Sequence, residues 1–476
     1  MNKDVLNRGI GALRFALEKA LVRDDAVNRC VAMLLFLKRL TDLAHHPRSG
    51  TSFIPAEHPR LIRKLANVSW EDMGLVDDPA AAIHSVLENV ETAIGVLRGL
   101  SSFNTLVYSL HAATRAKVTV EPVFSAISAI SLQELSDSDM IVVFQDVLDA
   151  PSRHAAGATT PPSVRELIAR LFANEAVENV YDPAAGTGLL IGEVCDRLRG
   201  NWSTPMLFGQ ELVVDLVNLA KIRAFLSRCE FDFRAGDTLL DPEPAGKGRQ
   251  FDLVVAHPPF GKIEPQVVAD SKFQKFKFDA TPTYEVAFLQ HVIATMSEVG
   301  RAAVVVPTGV LFRSMDRNLR EALVKDGILD AVISLPPFLF TGTDIAASIL
   351  LLRGPERGDS RDVLFVDLAM SIEGQKTHPT LNEAGIAGAI NAVTNRTTVP
   401  GFSGSATEAN MAACDFDLSV ARYVRRLEPK SASLKENLRL FSEALARRNQ
   451  VEKKALALVT ELSGQRAQSS GRGGEE

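Results

Sequence analysis

The rhythm of apolar and polar positions changes twice along the 476-residue chain. From residue 1 to about 150, apolar positions recur every three and four residues, as in AVNRCVAMLLFLKRLTDLA (26–44) and AAAIHSVLENVETAIGVLRGL (80–100). That spacing predicts amphipathic helices, and no strand-turn-strand rhythm interrupts it. Residues 1–150 are therefore expected to form a helical domain suited to packing or partner contact. APSRHAAGATTPPSV (150–164) reads as a linker rich in small residues and proline. Beyond it, short apolar runs alternate with amphipathic stretches: VENVYD, MLFGQEL, FDFRAGD, FDLVVA, GRAAVVVP, LDAVIS, SILLLRG and VLFVDLA. This is the β-α-β signature of a mostly parallel sheet with helices on both faces, expected within residues 151–370. The region 371–476 opens with a polar, small-residue stretch to about 412 and closes with a helix. There Leu434, Leu438, Phe441 and Leu445 follow a heptad-like spacing, which Val459 and Leu462 resume after Arg448 and Glu452. The tail RAQSSGRGGEE has the composition of a disordered segment.

Composition narrows this picture only a little. With 46% hydrophobic and 23% charged residues the chain is of ordinary globular type, long enough for two or three domains. A formal charge of −6 argues against nucleic-acid binding by electrostatics alone. It leaves room for a local basic groove, or for a subunit that borrows affinity from a partner. Cys30, Cys195, Cys229 and Cys414 show no C-x-x-C spacing, so neither a metal site nor a disulfide framework is expected. No apolar run approaches the roughly 20 residues of a membrane span, and the start MNKDVLNRGI has no signal core, so a cytoplasmic protein is expected.

The chemistry concentrates where the predicted strands end. VYDPAAGTGLL (180–190) runs from an apolar strand to Asp182, then through a turn with Gly186 and Gly188 two apart, into a helix. Glycines there let the backbone approach a ligand, and the carboxylate sits at the carboxyl end of a strand. Neither a G-x-G-x-x-G dinucleotide loop nor a G-K-[ST] phosphate loop is present. The turn fits a cofactor with little phosphate and a positive or amine group, a description that S-adenosylmethionine meets; the plain alternative is a strand-to-helix turn without a ligand. Glu211 ends the second strand and could accept hydrogen bonds from two ribose hydroxyls, and Asp237 follows the third strand and could accept from an adenine amine. The fourth strand leads to His257, Pro258, Pro259 and Phe260. Two prolines stiffen the backbone there, and the aromatic offers a face to a flat ring. His291, on an apolar helix, reads as a core histidine. KFQKFKF (272–278) alternates lysine with phenylalanine, which suits either a nucleic-acid contact or an edge strand.

Taken in order, LLFLKRLTD, Thr160-Pro161, DPAAGTG, FGQE, GDTL, PPFG, AFLQH, GRAAVVVPTGVLF and DAVISLP make the chain resemble, over almost its whole length, the modification subunits of type I restriction-modification systems. These are adenine-N6 DNA methyltransferases. The resemblance implies a Rossmann-like class I S-adenosylmethionine-dependent methyltransferase sheet flanked by an N-terminal helical domain and a C-terminal helical arm. It implies that Thr160, Pro161, Asp182, Ala184, Gly186, Thr187, Gly188 and Glu211 hold S-adenosylmethionine, with Asp237 nearby. In the family an N-P-P-F/Y segment receives a flipped adenine, since N6 cannot reach a methyl donor inside the stacked duplex. Its asparagine and a proline carbonyl accept from the amine while the aromatic stacks. The implied partners are double-stranded DNA and a specificity subunit docked through the C-terminal helix. The assemblies so implied add a second modification subunit and a restriction subunit.

Two positions depart from the family pattern. Ala158 and Thr159 stand where aromatics usually precede Thr-Pro, and His257 replaces the asparagine. An amide carbonyl accepts at every working pH, whereas imidazole offers one acceptor nitrogen when neutral and none when protonated. The expected activity is that of a site-specific adenine DNA methyltransferase whose competence depends on His257. Two other readings stand beside it: a cofactor-binding scaffold subunit that does not turn over, and a methyltransferase of this fold acting on a small molecule or peptide.

Overall fold

The computed structural model describes residues 3–20, 22–45, 59–150, 159–199, 204–243, 248–263, 283–340, 345–356, 362–375 and 378–424, with 438–439, 441–443, 445–448, 450–451 and 453–454 near the end of the chain. Residues Met1–Arg425 form one compact unit and Arg426–Glu476 a second. The KFQKFKF segment, Ala158, Leu434, Val459, Leu462 and the polar tail lie outside the described residues.

The N-terminal part is helical, as its periodicity predicts: α1 (Lys3–Lys19), α2 (Asp24–His45), α3 (Pro59–Ala66), α4 (Trp70–Met73), α5 (Pro79–Ala93), α6 (Asn104–Arg115), α7 (Glu121–Ser128) and α8 (Asp137–Asp149). Helix α2 is the hub, and its run from Val31 to Leu37 is buried on every side. Arg39, on the same helix, is also buried and donates to the Leu132 and Leu135 carbonyls, so its charge is not left without acceptors. Helix α5 stops short of the periodic run that predicts it. At Ile94 the chain breaks into two 3-10 turns around Gly99, whose φ of 93° a side chain would resist. The core of these helices also takes in Leu189, Leu219, Ile222 and Leu226 from the two helices that cover the start of the sheet.

All eight predicted strands are present: β1 (Asn179–Asp182), β2 (Met206–Glu211), β3 (Phe231–Ala235), β4 (Phe251–Ala256), β5 (Met296–Pro307), β6 (Leu329–Ser334), β7 (Ala347–Arg353) and β8 (Val363–Asp367). Two short strands, β9 (Ile372–Gln375) and β10 (His378–Leu381), pair separately, and β11 (Ser403–Ala406) joins the main sheet. The nine-stranded order is β11-β8-β6-β7-β5-β4-β1-β2-β3. Pairings among β1 to β5 are parallel, whereas β7 lies antiparallel between β5 and β6, and β11 antiparallel to β8. The expected Rossmann-like sheet is there, with one reversed strand inside it.

The chain beyond residue 370 holds more structure than its polar, small-residue texture suggests. Besides β11 it forms the helix Glu383–Asn395, whose Ile386, Ala389, Ala392 and Val393 are buried, and the sheet-bearing unit continues to Val424. Short side chains hide this helix from a hydrophobicity reading, yet they let it pack closely, with Phe402 against Gly388. The described residues of the terminal segment are helical, and Leu438, Phe441 and Leu445 are exposed there.

Candidate active site at the switch point of the sheet

Strand order reverses between β1 and β4. The chain leaves β1 toward β2 and β3 on one side, and β4 continues toward β5 on the other. A crevice opens beyond the carboxyl ends of the strands at such a point, because successive crossovers depart in opposite directions. The DPAAGTG turn after β1 and the His257 turn after β4 are therefore neighbours. One cavity is lined by Thr159, Thr160, Arg165, Asp182, Ala184, Gly186, Thr187 and His257 together.

The first wall is the glycine turn. At Gly186 (φ 52°) a Cβ would meet nothing nearer than the Ala184 carbonyl oxygen at 4.0 Å, and the Glu211 carboxylate at the end of β2 accepts its amide at 3.1 Å. Gly188 (φ 75°) caps helix α10 (Leu189–Leu198), and any Cβ there would lie 2.8 Å from Ala220 Cα on helix α11 (Val214–Leu226). One glycine thus leaves room for a ligand and the other lets two helices touch.

Asp182 is 1% exposed and accepts the Ala184 amide at 3.0 Å. Burial, with Glu211's charge adding to it, pushes its carboxyl up to about 7. Burial raises Glu211 as well, although the amides of Val213 and Gly186 draw it back. The one guanidinium lining the cavity, that of Arg165, is committed elsewhere. It forms a fork with Asp149 at 2.8 and 2.6 Å, reaches Glu193 at 3.2 Å and donates to the Thr160 carbonyl at 2.7 Å. Among the described residues, Asp182 therefore faces the cavity without a cation of its own, with Glu211 behind the glycine turn, and a ligand bearing positive charge or hydrogen-bond donors would relieve it.

The opposite wall is His257. Its Nδ1 lies 3.0 Å from Thr160 Oγ1, a contact across 97 residues of sequence. Phe260 packs edge-on against the imidazole at 5.3 Å, and Phe340, on the loop after β6, closes from the other side at 5.2 Å. Burial pushes the imidazole down to about 4, so at neutral pH it is uncharged and keeps one acceptor nitrogen. Pro258 is buried and Pro259 exposed. The turn ends at Gly261 (φ 124°), whose amide donates to the buried Glu285 carboxylate at 3.0 Å, itself held by Arg313 at 3.1 Å.

Of the predicted site residues, Pro161, Gly188, Glu211, Asp237, Pro258, Pro259 and Phe260 are not among those lining this cavity. Asp237 accepts the Leu239 and Leu240 amides at 2.9 and 3.2 Å, capping its own turn. Pro161 serves mainly to start helix α9 (Pro162–Leu171). Its carbonyl accepts from Val164 and Arg165 there. Sequence reading missed Arg165, Glu285, Arg313 and Phe340. The only signal for the first two was a charge set among residues whose neighbours are apolar, Val164 and Leu167 around Arg165, Val286 and Phe288 after Glu285. His291 is a core residue as expected, with its Nε2 3.0 Å from Tyr181 Oη.

The sequence model of the N-6 DNA methylase family matches residues 151–431, more than half of the chain. The chain belongs to the N-6 DNA methylase family. The matched region takes in Thr160, the glycine turn, Glu211 and the His257 turn. Among its relatives is the type I restriction enzyme MpnII methylase subunit of Mycoplasma pneumoniae, 28% identical over 286 residues, which are 56% of this chain and 52% of the other. The type I restriction enzyme MjaVII methylase subunit of Methanocaldococcus jannaschii is 25% identical over 337 residues, 66% of this chain and 56% of its own. The chain thus spans about half the length of the curated relatives it matches. In fold, it resembles the crystal structure of the type I restriction-modification system methyltransferase subunit from Streptococcus thermophilus. The TM-score is 0.69 at 20% identity, over 89% of this chain and 100% of that one. The expected methyltransferase sheet with its helical regions is borne out.

Proposed function

We propose that this chain is the modification subunit of a type I restriction-modification system, transferring methyl from S-adenosylmethionine to adenine N6 in double-stranded DNA. The observation that carries the reading is the meeting of the two loops: His257 and Asp182 line one cavity, and Thr160 joins the acceptor side to the cofactor side through its hydroxyl. The residues present fit the cofactor. Gly186 leaves the backbone open, Glu211 remains close to it, and Asp182 and Glu211 have charge to offer. When bound, the cofactor supplies an electrophilic methyl on a positively charged sulfur.

The protein's part is to hold the amine. With its hydrogen on Nδ1 and donated to Thr160 Oγ1, His257 presents Nε2 as an acceptor, as the asparagine carbonyl does in the family. The Pro258 carbonyl is the second acceptor, and Phe260 is the face on which a flipped base stacks. Positioning of this kind converts an encounter into an aligned pair, which is where most of the rate gain is to be found. Leu438, Phe441 and Leu445, exposed on the terminal helix, supply an apolar row for a specificity subunit. Such a partner would carry base reading and much of the phosphate contact, in keeping with this chain's net charge of −6.

The test is methyl transfer by the chain with its specificity subunit to genomic DNA from a strain lacking the gene. N6-methyladenine at a defined bipartite site is expected, and cofactor binding without any DNA methylation would overturn the reading. A finer prediction concerns Thr160. Thr160→Val removes the hydroxyl that orients His257 and is expected to lower kcat about tenfold, the worth of one hydrogen bond. Thr160→Ser should retain the rate, as measured by initial rates at saturating cofactor.

A further inference from the structure

The geometry points to a redox-responsive dithiol formed by Cys195 and Cys229, a modification site apart from the cavity described above. The two residues are 34 apart in sequence, one on helix α10 and the other just after helix α11, and their sulfurs lie 2.7 Å apart. Both are buried, and both are free thiols. Burial alone would make them inert. Three further features set them apart from Cys30, the other buried thiol.

First, the Arg199 guanidinium donates to Cys229 Sγ at 3.1 Å and also to the Ser227 carbonyl. Among the described residues no carboxylate pairs with Arg199. The nearby Asp196 is taken by Arg223 at 2.5 Å. A cation with no acid of its own therefore rests on this sulfur. Second, the pair is asymmetric. Either sulfur can donate to the other, but Arg199 rests on Cys229, so the S–H of Cys195 donating to Cys229 is the favoured arrangement. It favours thiolate at Cys229, and Arg199 and Arg223 add to that while burial and Asp196 oppose it. The same hydrogen bond, with burial, keeps Cys195 a thiol. Third, Cys229, although only 7% exposed, borders a surface cleft. It lines this cleft with Val96, Met206, Phe225, Arg228 and Phe231, wide enough to admit a small oxidant.

These features assign the two sulfurs different tasks. The Cys229 thiolate attacks a hydroperoxide; the O–O bond breaks, a sulfenic acid forms on Cys229, and the departing oxygen takes up a proton and leaves as water or alcohol. Cys195 then gives up its proton and attacks the sulfenic sulfur; an S–S bond forms and water departs. The two thiols lose two electrons in all, and the hydroperoxide gains them. The new bond would enclose β2, Glu211 and helix α11 in one covalent loop, fixing helix α10 to the end of α11.

The test uses the full-length chain at pH 7.5, treated with a small molar excess of hydrogen peroxide, then alkylated under denaturing conditions and digested. A linked pair of peptides containing Cys195 and Cys229 is expected, lighter by two hydrogens than the separate thiols and abolished by dithiothreitol. Cys30 and Cys414 should be recovered alkylated. Recovery of Cys229 as free thiol, or its linkage to another cysteine, would overturn the assignment. In Cys195→Ser the sulfenic acid has no partner, so Cys229 should become labelled by dimedone at peroxide levels that cross-link the parent chain. Labelling at Cys30 instead of Cys229 would also overturn it.

Discussion

His257→Ala is expected to lower kcat for methyl transfer by about 100-fold or more, with cofactor affinity nearly unchanged. In the proposed reading the imidazole receives the amine's hydrogens, and alanine leaves nothing there to do so. It would also leave the Thr160 hydroxyl facing a void in place of Nδ1. His257→Asn restores an acceptor carbonyl and should keep far more activity than alanine does. An alanine variant as fast as the parent would remove His257 from the mechanism. The pH dependence carries a second signature. Because burial holds the imidazole near 4, its acceptor is present throughout the neutral range and is lost only as pH falls through about 4. This group therefore contributes no inflection near 6.5, where an exposed histidine would titrate.

Asp182→Asn should move stability and binding in opposite directions. The folded carboxyl is raised from 3.8 to about 7, first by burial and then by Glu211. Between those values the folded state holds a proton that the unfolded state has released, so stability falls as pH rises through this window. Above it the ligand-free protein carries a penalty on the order of 4 kcal/mol. Asparagine has no such charge to desolvate, so at pH 8 the variant without ligand should unfold at higher urea concentration than the parent. The same change removes the negative charge that the proposed function sets against the cofactor, so S-adenosylmethionine affinity should fall about tenfold or more. In the parent that affinity should rise with pH through 7. A variant that binds as well as the parent, or a parent whose urea midpoint does not decline from pH 4 to 7 relative to the variant's, would contradict this account.

Much of the sheet could be read from the chain because eight buried strands announce themselves as short apolar runs, each ended by a turn residue or an acid. The glycine turn was equally plain, since glycine takes the positive φ values of residues 186 and 188 at the least cost. The reversal of β7 was not legible. SILLLRG is buried on both faces and reads the same in either direction. The helix Glu383–Asn395 escaped because its buried face is built of alanines and two branched residues. Within the site, each loop could be proposed separately, but the contact between Thr160 and His257 could not. It depends on helix α9 and the turn after β4 arriving together, something no local spacing encodes. Asp237 shows a second limit: its place after β3 suggests a ligand contact, and spacing alone does not reveal that its Oδ1 also accepts two nearby backbone amides, as short acidic side chains in turns often do.

The parallel pairing of β1 with β4, Val180 against Leu253 and Tyr181 against Val254, acts as a ruler for the whole site. Asp182 is the last residue of β1 and His257 the first after β4, so the offset between the strands sets the offset between the two side chains. A slip of one residue would carry one past the other by about 3.3 Å and turn alternate side chains to the wrong face. Reacting atoms tolerate far less misalignment than that. The irregularity in β4, between Phe251 and Leu253, lies at the opposite end of the strand, so the adjustment to β5 is made away from the cavity. Alignment at the site is thus inherited from main-chain hydrogen bonds, and the loops are free to vary without losing the gauge.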